Sequence, residues 1–392
     1  MENQETEFKE NKKSNKALIV IIIGLLVVVA GLGGYYYYET SKTAPEKEMK
    51  KKEEKKEVFE EELKSKAYEQ MRELKQVNEL DKDTNTGIKL IATENSKLVD
   101  NAIWAPTLQL VWQDYINTDI KQDIEFIDDK DNVTVKELNT KSFKLSDISD
   151  SYVYVKNGKA TKALKEEIKK AIKDKFNTES EILDLFDFKD DSVFKFFYSM
   201  LYKEFTFKNP FDVLDSTHFG IDNNSDSKLA ENCAPIFYTK GTYAIKLLTN
   251  EGDEVILYKG ERKNTFLETY NYIMGKQEKD LKFNHGDSLK VANLDFKAQN
   301  HYEDLTKKLF YDTEGNLNYI AQIEQVTSLK LDNKGGKVKS EAGMMVYKNA
   351  IVLDSRDYLF NDDFMLFIKE AGKDKPYFAA NINDVNQFTK KN

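Results

Sequence analysis

The most informative stretch of the chain is residues 329–349, LKLDNKGGKVKSEAGMMVYKN. From residue 336 onward, small or apolar residues alternate with charged or larger ones. One set is Gly336, Val338, Ser340, Ala342, Met344 and Val346, and the other is Lys337, Lys339, Glu341, Gly343, Met345 and Tyr347. Successive side chains of a β-strand point to opposite faces, so this pattern suits a strand with one buried face. A shift of one residue would bury three charges, although an ordinary surface strand would show the same alternation.

The rest of the C-terminal half is also rich in strand patterns. Residues 242–260 contain two apolar runs around Asn250-Glu-Gly-Asp, which predicts a hairpin. Further strands are expected at 287–296, at 318–332 as one long strand or two, and at 364–370 and 376–382 as a last hairpin. Residues 301–310, HYEDLTKKLF, are interpreted as a short helix.

Helical patterns lie mainly in the first half of the chain. Apolar residues recur at helical spacing from 58 to 74, in 101–116 with Pro106 in the first turn, and in 160–176. Residues 151–159 suggest a strand, and 117–147 give no clear pattern. Because helices and strands do not alternate regularly, the predicted class is α+β.

Composition excludes several kinds of protein. The 392 residues include 59 Lys+Arg and 68 Asp+Glu, so the formal net charge is −9, which disfavours nucleic-acid binding. A single cysteine, Cys233, cannot form an internal disulfide and has no CxxC partner for zinc or redox chemistry. Three scattered histidines leave little room for a His-rich metal site, and we expect neither a metal nor a cofactor.

An uncharged segment lies near the N-terminus at residues 17–38, ALIVIIIGLLVVVAGLGGYYYY. About 20 apolar residues cross the hydrocarbon core as a helix, and the four closing tyrosines are typical of a membrane interface. We interpret 17–38 as a transmembrane signal anchor that follows a cytoplasmic tail, 1–16, because large C-terminal domains translocate regardless of charge. A cleaved signal peptide is the alternative, but the run is long for one and no A-x-A site follows it at once.

A charged segment, residues 39–66, follows the apolar run. It holds nine Lys and nine Glu and is interpreted as a solvated stalk. A lipid-binding basic segment is the alternative, which the interleaved glutamates disfavour. The expected extracellular domain is 67–392, which places the protein in the cell membrane as a single-pass chain. The lack of disulfides suits a bacterial surface.

No motif in the chain carries enzyme chemistry. There is no G-x-S-x-G, no P-loop and no GxGxxG. Cys233 lies near His218 in sequence, but two residues do not make a triad, and a cysteine enzyme is the least favoured hypothesis. Acidic runs such as Asp128-Asp129 and 222–227 lack the spaced ligands and terminal Glu of a calcium loop, so solvated loops are the better interpretation.

The C-terminal third resembles serpins, the serine protease inhibitor family. Residues 329–349 are similar to the family's strand, hinge and reactive loop, and FMLFIKE (364–370) and PYFAANI (376–382) to its last strands. The stretches 200–219, 287–310 and NAIWAPTLQLVW also resemble serpin segments, in shared order and spacing over most of 98–392. The resemblance implies large mixed or antiparallel sheets with packed helices.

The resemblance also implies a site. The hinge would be Gly335, Gly336, Lys337, Val338, Lys339 and Ser340, and the scissile region would be Lys348, Asn349 and Ala350. A lysine at the scissile bond would suit a trypsin-like protease. The family favours small hinge residues, whereas this hinge carries lysines. Residues 154–200 hold one clear helix where a full serpin has more, which suggests a shortened, bacterial-type member.

Two functions follow from the resemblance. The first is a membrane-tethered inhibitor that traps a serine or cysteine protease irreversibly, by cleavage and insertion of the reactive loop into a sheet. The second is a non-inhibitory serpin-like module that binds a partner at the cell surface. The clean alternation of residues 336–347 favours the first, and the lysine-bearing hinge favours the second.

Overall fold

The computed structural model describes residues 46–73, 87–224, 228–337 and 355–389. Contacts divide the chain into two units, with the boundary between Glu69 and Gln70.

Helices account for a modest part of the described chain. The α-helices are α1 (Glu46–Glu73), α2 (Thr107–Tyr115), α3 (Val133–Asn139), α4 (Lys162–Phe176), α5 (Lys228–Asn232) and α6 (Phe266–Gly275). A π-helical turn, Ile116–Ile120, continues α2. Short 3-10 helices span Leu145–Asp147, Asp150–Tyr152, Leu183–Leu185, Glu303–Leu305 and Val385–Gln387.

Helix α4 shows how local sequence sets an element. The side chain of Thr161 accepts a hydrogen bond from the backbone N–H of Leu164, which caps the first turn. Leu164, Ile168, Ile172 and Phe176 recur every four residues and are all buried. Asn177 then adopts a left-handed conformation and ends the helix. The helix predicted at 160–176 is therefore confirmed.

Strands supply most of the framework. In chain order they are β1 (Lys89–Leu90), β2 (Ala102–Trp104), β3 (Val153–Lys159), β4 (Lys195–Leu201), β5 (Glu204–Thr206), β6 (Asp212–Asp215), β7 (His218–Ile221), β8 (Cys233–Thr239), β9 (Thr242–Leu248), β10 (Glu254–Lys259), β11 (Ser288–Ala292), β12 (Leu294–Asn300), β13 (Leu309–Tyr311), β14 (Leu317–Tyr319), β15 (Gln325–Asp332), β16 (Gly335–Lys337), β17 (Asp357–Phe360), β18 (Phe364–Lys369) and β19 (Pro376–Ile382).

The strands of the described residues assemble into several sheets. The largest has seven strands in the order β1-β2-β19-β18-β10-β9-β8. Two four-stranded sheets have the orders β17-β11-β7-β6 and β12-β15-β16-β5, and β13-β14 and β3-β4 form two-stranded ladders. Pairing is antiparallel except for β1 with β2 and β11 with β17. The expected mixed and antiparallel sheets are confirmed.

The main hydrophobic core joins the seven-stranded sheet to both four-stranded sheets. Nearly every residue of β18 and β19 is buried in it, because these central strands are covered on both faces. A second cluster surrounds Trp112 and Phe310, and a third lies between α4 and β4. The β3–β4 ladder and α4 therefore share a small core of their own.

Most of the predicted elements are present, one is divided and one is wrong. The single strand expected at 287–296 is divided between β11 and β12, which belong to different sheets. The hairpin at 242–260 is confirmed as β9 and β10. The helix expected at 301–310 is replaced by a single 3-10 turn and the start of β13. Tyr302 and Lys307 both adopt positive φ, at 45° and 55°, and this left-handed backbone interrupts any continuous helix there.

Helix α1 carries most of the predicted stalk and extends beyond it. Its exposed side chains include Val58 at 62% and Phe59 at 39%, and Lys64 pairs with Glu61 at 3.2 Å. Among the residues described, no helix is both long and apolar enough to cross a bilayer. The predicted anchor at 17–38 lies outside those residues.

Candidate functional site

Strand β16 lies between two other strands of a four-stranded sheet. It pairs antiparallel with the end of β15 and with β5, so that Gly336 lies between Leu331 and Phe205. Since β16 is antiparallel to both neighbours, β15 and β5 run parallel to each other. The chain thus leaves β15, turns, and returns as a third strand between β15 and β5.

The turn before β16 is anchored to the segment that follows β5. The backbone N–H of Phe207 donates to the carbonyl of Lys334 at 2.9 Å, and that of Phe211 to the carbonyl of Asn333 at 2.7 Å. The Asn333 side chain returns a bond from Nδ2 to the Phe211 carbonyl at 3.1 Å. These three bonds fix the place where the returning chain enters the sheet.

Two glycines make this close approach possible. Gly335 has φ +151°, and a Cβ on it would lie 2.4 Å from the carbonyl oxygen of Phe205. A Cβ on Gly336 would lie 2.2 Å from Cζ of the Phe205 ring, which is buried in the main core. Gly336 therefore faces the core, and the ring of Phe205 occupies the space that a side chain would need.

Beyond β16, the edges of β15 and β4 face no further strand. In the part of the chain that the structure describes, residues 325–329 pair with β12 alone, and β4 pairs only with β3. A backbone edge of this kind can accept another strand. On this side, β15 is thus paired with β16 only near the turn, at residues 330–332, and has no strand partner at 325–329 among the described residues.

The start of α2 ties both of these edges together. Ser199 of β4 donates from Oγ to the carbonyl of Thr107 at 2.7 Å. Gln325 of β15 donates from Nε2 to Oγ1 of the same threonine at 2.9 Å and to the carbonyl of Ala105 at 3.1 Å. The hydroxyl of Tyr302 donates to Oε1 of Gln325 at 2.6 Å. One residue therefore anchors β4 and β15 through side-chain hydrogen bonds.

Both faces of β4 are covered. Phe197 packs on Tyr115 of α2 with ring centroids 4.8 Å apart. On the opposite face, Phe196 and Tyr198 belong to the cluster under α4, and burial raises the pKa of Tyr198 to about 12. The strand is thus held from one side by α2 and from the other by α4.

An arginine, Arg356, is held in place at the start of the described residues that follow 338–354. Arg356 donates from its guanidinium Nη2 to Oδ2 of Asp287 at 2.7 Å and from its backbone N–H to Oδ1 at 2.8 Å. The carboxylate of Asp287 has no exposed surface, and the guanidinium also lies 5.5 Å from the ring centroid of Tyr238. Burial opposes the charge of Arg356, but the bonds to Asp287 outweigh it and raise the pKa of the guanidinium.

The predicted hinge residues divide into two groups. Gly335, Gly336 and Lys337 form β16, whereas Val338, Lys339 and Ser340 lie outside the described residues. The same holds for the predicted scissile region, Lys348, Asn349 and Ala350. Their roles stay predictions.

The cysteine hypothesis gains no support from the structure. Cys233 begins β8 of the seven-stranded sheet and is buried, which raises the pKa of its thiol well above the ordinary value. His218 lies in β7 of another sheet and bonds to Asp215 at 2.8 Å. A buried thiol with a raised pKa is a poor nucleophile.

Sequence reasoning missed two buried ion pairs, one at the β11–β17 sheet and one at the start of β5. One is Arg356 with Asp287, and the other is Lys203 with Asp253. Lys203 shares its period-2 position with Phe205 and Phe207, so a lysine among inward-facing aromatic residues was a usable signal.

Comparisons with known proteins give structural matches only. No family model matches the sequence, and no curated protein matches it. A thermophilic serpin, tengpin, in its native state is 11% identical with a TM-score of 0.44, over 79% of this chain and all of that one.

Two animal serpins are also similar. A serpin from Schistosoma mansoni is 15% identical with a TM-score of 0.37, over 64% of this chain and 81% of that one. Serpin48 of the insect Tenebrio molitor, described as highly specific, is 11% identical with a TM-score of 0.34, over 64% and 71% of the two chains. The chain is similar to serpins in fold, as its sequence led us to expect. At these values the likeness concerns chain arrangement and does not extend to activity.

Proposed function

We propose that this chain is a membrane-tethered, serpin-like inhibitor that traps a serine or cysteine protease by inserting its cleaved loop beside β15. The observation that supports this most directly is β16. Three residues of the hinge already pair between β15 and β5, and the open edge of β15 continues in the same direction.

The register of β16 supports further insertion. If the pairing continued, Val338 would come opposite Leu329 and Ser340 opposite Thr327, and both of these β15 residues are buried. Lys339 would come opposite Ser328, which is only half-buried. The small or apolar set of 336–347 would thus face the core and the charged set would face away from it.

The Arg356–Asp287 pair supplies the second requirement. A loop that is cut and then inserts must be free on one side of the cut only. Residues on the C-terminal side would stay with the sheet β17-β11-β7-β6. Strand β17 pairs with β11, and Arg356 is bound to the buried carboxylate of Asp287. The N-terminal side would lengthen β16 in the other four-stranded sheet, β12-β15-β16-β5.

The proposal is tested with the full chain and a panel of serine and cysteine proteases. We expect a covalent complex that survives a denaturing gel. We also expect a chain nicked within 344–352 to unfold at a much higher temperature than the intact chain, since an inserted strand adds backbone hydrogen bonds and buried surface. Cleavage without a complex and without a rise in the midpoint contradicts the proposal.

Two single substitutions form a matched test of the insertion register. Ser340→Glu would place a carboxylate on the core-facing side of the inserted strand, so the stabilisation after nicking should be lost. Lys339→Glu changes a charge by twice as much but lies on the other face, so the stabilisation should remain. Equal effects of the two changes would contradict the proposed register.

The membrane tether is part of the proposal and rests on sequence. Residues 17–38 are uncharged and end in four tyrosines, and a large domain follows. We expect the full chain to float with membranes after alkaline washing and its C-terminal domain to be digested by external protease in intact cells. A chain released by the wash would contradict the tether.

The lysines of the hinge favour a second function, a non-inhibitory surface-binding module. Lys337 and Lys339 stand where the family prefers small residues, and this departure from the family's hinge is what favours the alternative. A loop that is cut without trapping any protease, in a chain that still binds a surface partner, would support this alternative.

A further inference from the structure

A buried ion pair lies where β4 and β5 meet. Strand β4 ends at Leu201 and β5 begins at Glu204, so Tyr202 and Lys203 interrupt what would otherwise be one strand. The Lys203 side chain is 8% exposed, and its Nζ lies 3.0 Å from Oδ2 of Asp253, which has no exposed side-chain surface. These two residues, Tyr202 and Lys203, form the junction between β4 and β5.

Lys203 has two partners from different parts of the fold. Asp253 closes the turn between β9 and β10 of the seven-stranded sheet. The hydroxyl of Tyr152, at the end of a 3-10 helix, accepts from Lys203 Nζ at 2.6 Å, and Nζ lies 3.8 Å from the centre of that ring. The buried ammonium of Lys203 therefore has a hydroxyl, a carboxylate and an aromatic ring as partners.

The carboxylate of Asp253, by comparison, has too few hydrogen-bond donors around it. Its Oδ1 is buried and has no hydrogen-bond partner among the described residues, and the buried hydroxyl of Tyr377 has none either. Two further carboxylates, Glu370 and Glu251, repel its negative charge and so contribute to its raised pKa. A buried pair with incomplete hydrogen bonding can cost more in desolvation than its attraction returns.

The β9–β10 turn holds β5 through several other bonds. Asn250 donates from its backbone N–H to the carbonyl of Thr206 at 2.9 Å, and Glu251 accepts from the backbone N–H of Thr206 at 2.9 Å. Strand β5 is thus bound to the β9–β10 turn, whereas Phe196 and Tyr198 of β4 pack in the core under α4. The junction lies between these two sets of contacts.

We propose that the Lys203–Asp253 pair is a built-in weak point, which lowers the stability of the junction and lets β4 separate locally from the β9–β10 turn. Local opening depends on the free energy of the closed contacts, and a costly buried pair reduces that free energy. The consequence for strand insertion rests on the proposed function, but the opening itself does not.

Hydrogen exchange of the purified full chain tests the weak point directly. In the variant Lys203→Met/Asp253→Leu, apolar side chains of similar size replace the pair. We expect the amide protection of residues 201–206 to rise at least about tenfold, because such replacements are often stabilising. Unchanged or reduced protection in this variant would overturn the proposal.

Two further variants serve as controls. Lys246→Met/Glu254→Gln removes a less buried pair from the same hairpin, at 3.0 Å and with side chains 14% and 25% exposed, and should leave junction protection unchanged. Lys203→Met alone leaves Asp253 without its counter-ion and should reduce protection. If that single variant does not fold, the double variant still decides the matter, and no protease is needed for either result.

The pH dependence gives an independent readout. Burial raises the pKa of Asp253, and the bond from Lys203 lowers it only in part. The groups that face this carboxyl are Lys203, Glu251, Glu370 and Tyr377, and Tyr152 bonds to Lys203. A raised pKa means that the closed junction binds the proton more tightly than the open one, so protection should rise as pH falls and be lost as pH rises through the raised pKa. This dependence should vanish in Lys203→Met/Asp253→Leu, and its persistence there would count against the weak point.

Discussion

The described residues on either side of 338–354 are held in opposite ways. On the N-terminal side, Gly335 and Gly336 make backbone pairs with β15 and β5, and no side chain of theirs contributes. On the C-terminal side, Arg356 is bound by the fully buried carboxylate of Asp287. Its guanidinium also lies 5.8 Å from the ring centroid of Tyr358. Backbone pairing can be extended residue by residue, whereas a buried ion pair holds one residue in one place.

Under the proposed function, this difference would give the two flanking segments separate tasks. The glycine end can lengthen β16 without any change in the contacts already made, because each new residue adds the same ladder bonds. The arginine end cannot shift without exposing or unpairing a charge. If the segment between them is cut, the N-terminal part is the one that can move.

The largest effect is expected from Arg356→Met. This change leaves the carboxylate of Asp287 buried without its counter-ion, at a cost of about 3–5 kcal/mol in the free energy of unfolding. Urea unfolding of the full chain measures it. We also expect the amides of β17 to lose protection from hydrogen exchange, since the backbone N–H of Arg356 bonds to the same carboxylate.

Lys290→Met is the matched control for this change. Lys290 lies on β11 of the same sheet and pairs with Asp215 at 3.0 Å, but the two side chains are 33% and 41% exposed. Its loss should cost less than about 1 kcal/mol. Equal costs for the two variants would show that burial of the Arg356 pair does not set the strength of the C-terminal end.

A smaller effect is expected from Gly336→Ala at the other end. The added Cβ would lie 2.2 Å from the Phe205 ring, so the ring or the strand must shift, at a cost of about 1–3 kcal/mol. Urea unfolding and the exchange of the β16 amides measure this cost. Phe205→Leu should recover part of it in the double variant, because the smaller side chain leaves room.

Gly275→Ala provides the comparison for Gly336. A Cβ on Gly275, at the end of α6, would meet nothing within 4 Å, so this change should be close to neutral. A Gly336→Ala protein that is as stable as Gly275→Ala, with β16 still protected, would show that close contact with Phe205 is not what demands a glycine.

Local patterns predicted a large part of this fold. The β9–β10 hairpin follows from two apolar runs around Asn250-Glu-Gly-Asp, and α4 follows from four apolar residues at helical spacing. The same spacing was misleading at 301–310, where Leu305 and Phe310 are buried but the backbone turns left-handed at Tyr302 and Lys307. Periodicity reports which residues are buried and not which backbone carries them.

Within the candidate site, the sequence pointed to β16 and offered a signal at Lys203, but it did not indicate the partners that hold the site together. Gly335 and Gly336 were predicted through the resemblance of 329–349 to a serpin hinge, and the structure shows the close strand approach that requires glycine there. By contrast, Arg356 and Asp287 are 69 residues apart, and Gln325 and Thr107 are 218 apart. Such pairs are made by the packing of whole sheets and helices, so no local pattern marks one partner for the other.

The smallest effect is expected from acid, through Asp215 on the sheet that holds the C-terminal end. Burial alone would raise the pKa of this carboxyl, but bonds from the Thr217 backbone, His218 and Lys290 lower it well below the ordinary value. The folded state then binds the proton less tightly than the unfolded state, so this contribution is present above the ordinary Asp pKa of 3.8 and is lost as pH falls below it. Asp215→Asn should flatten that part of the acid-unfolding curve, by less than about 1 kcal/mol because the side chain is partly exposed. An unchanged curve would mean that ionisation of Asp215 does not contribute to the stability of this sheet in acid, and that the bonds from Thr217, His218 and Lys290 do not favour its charged form.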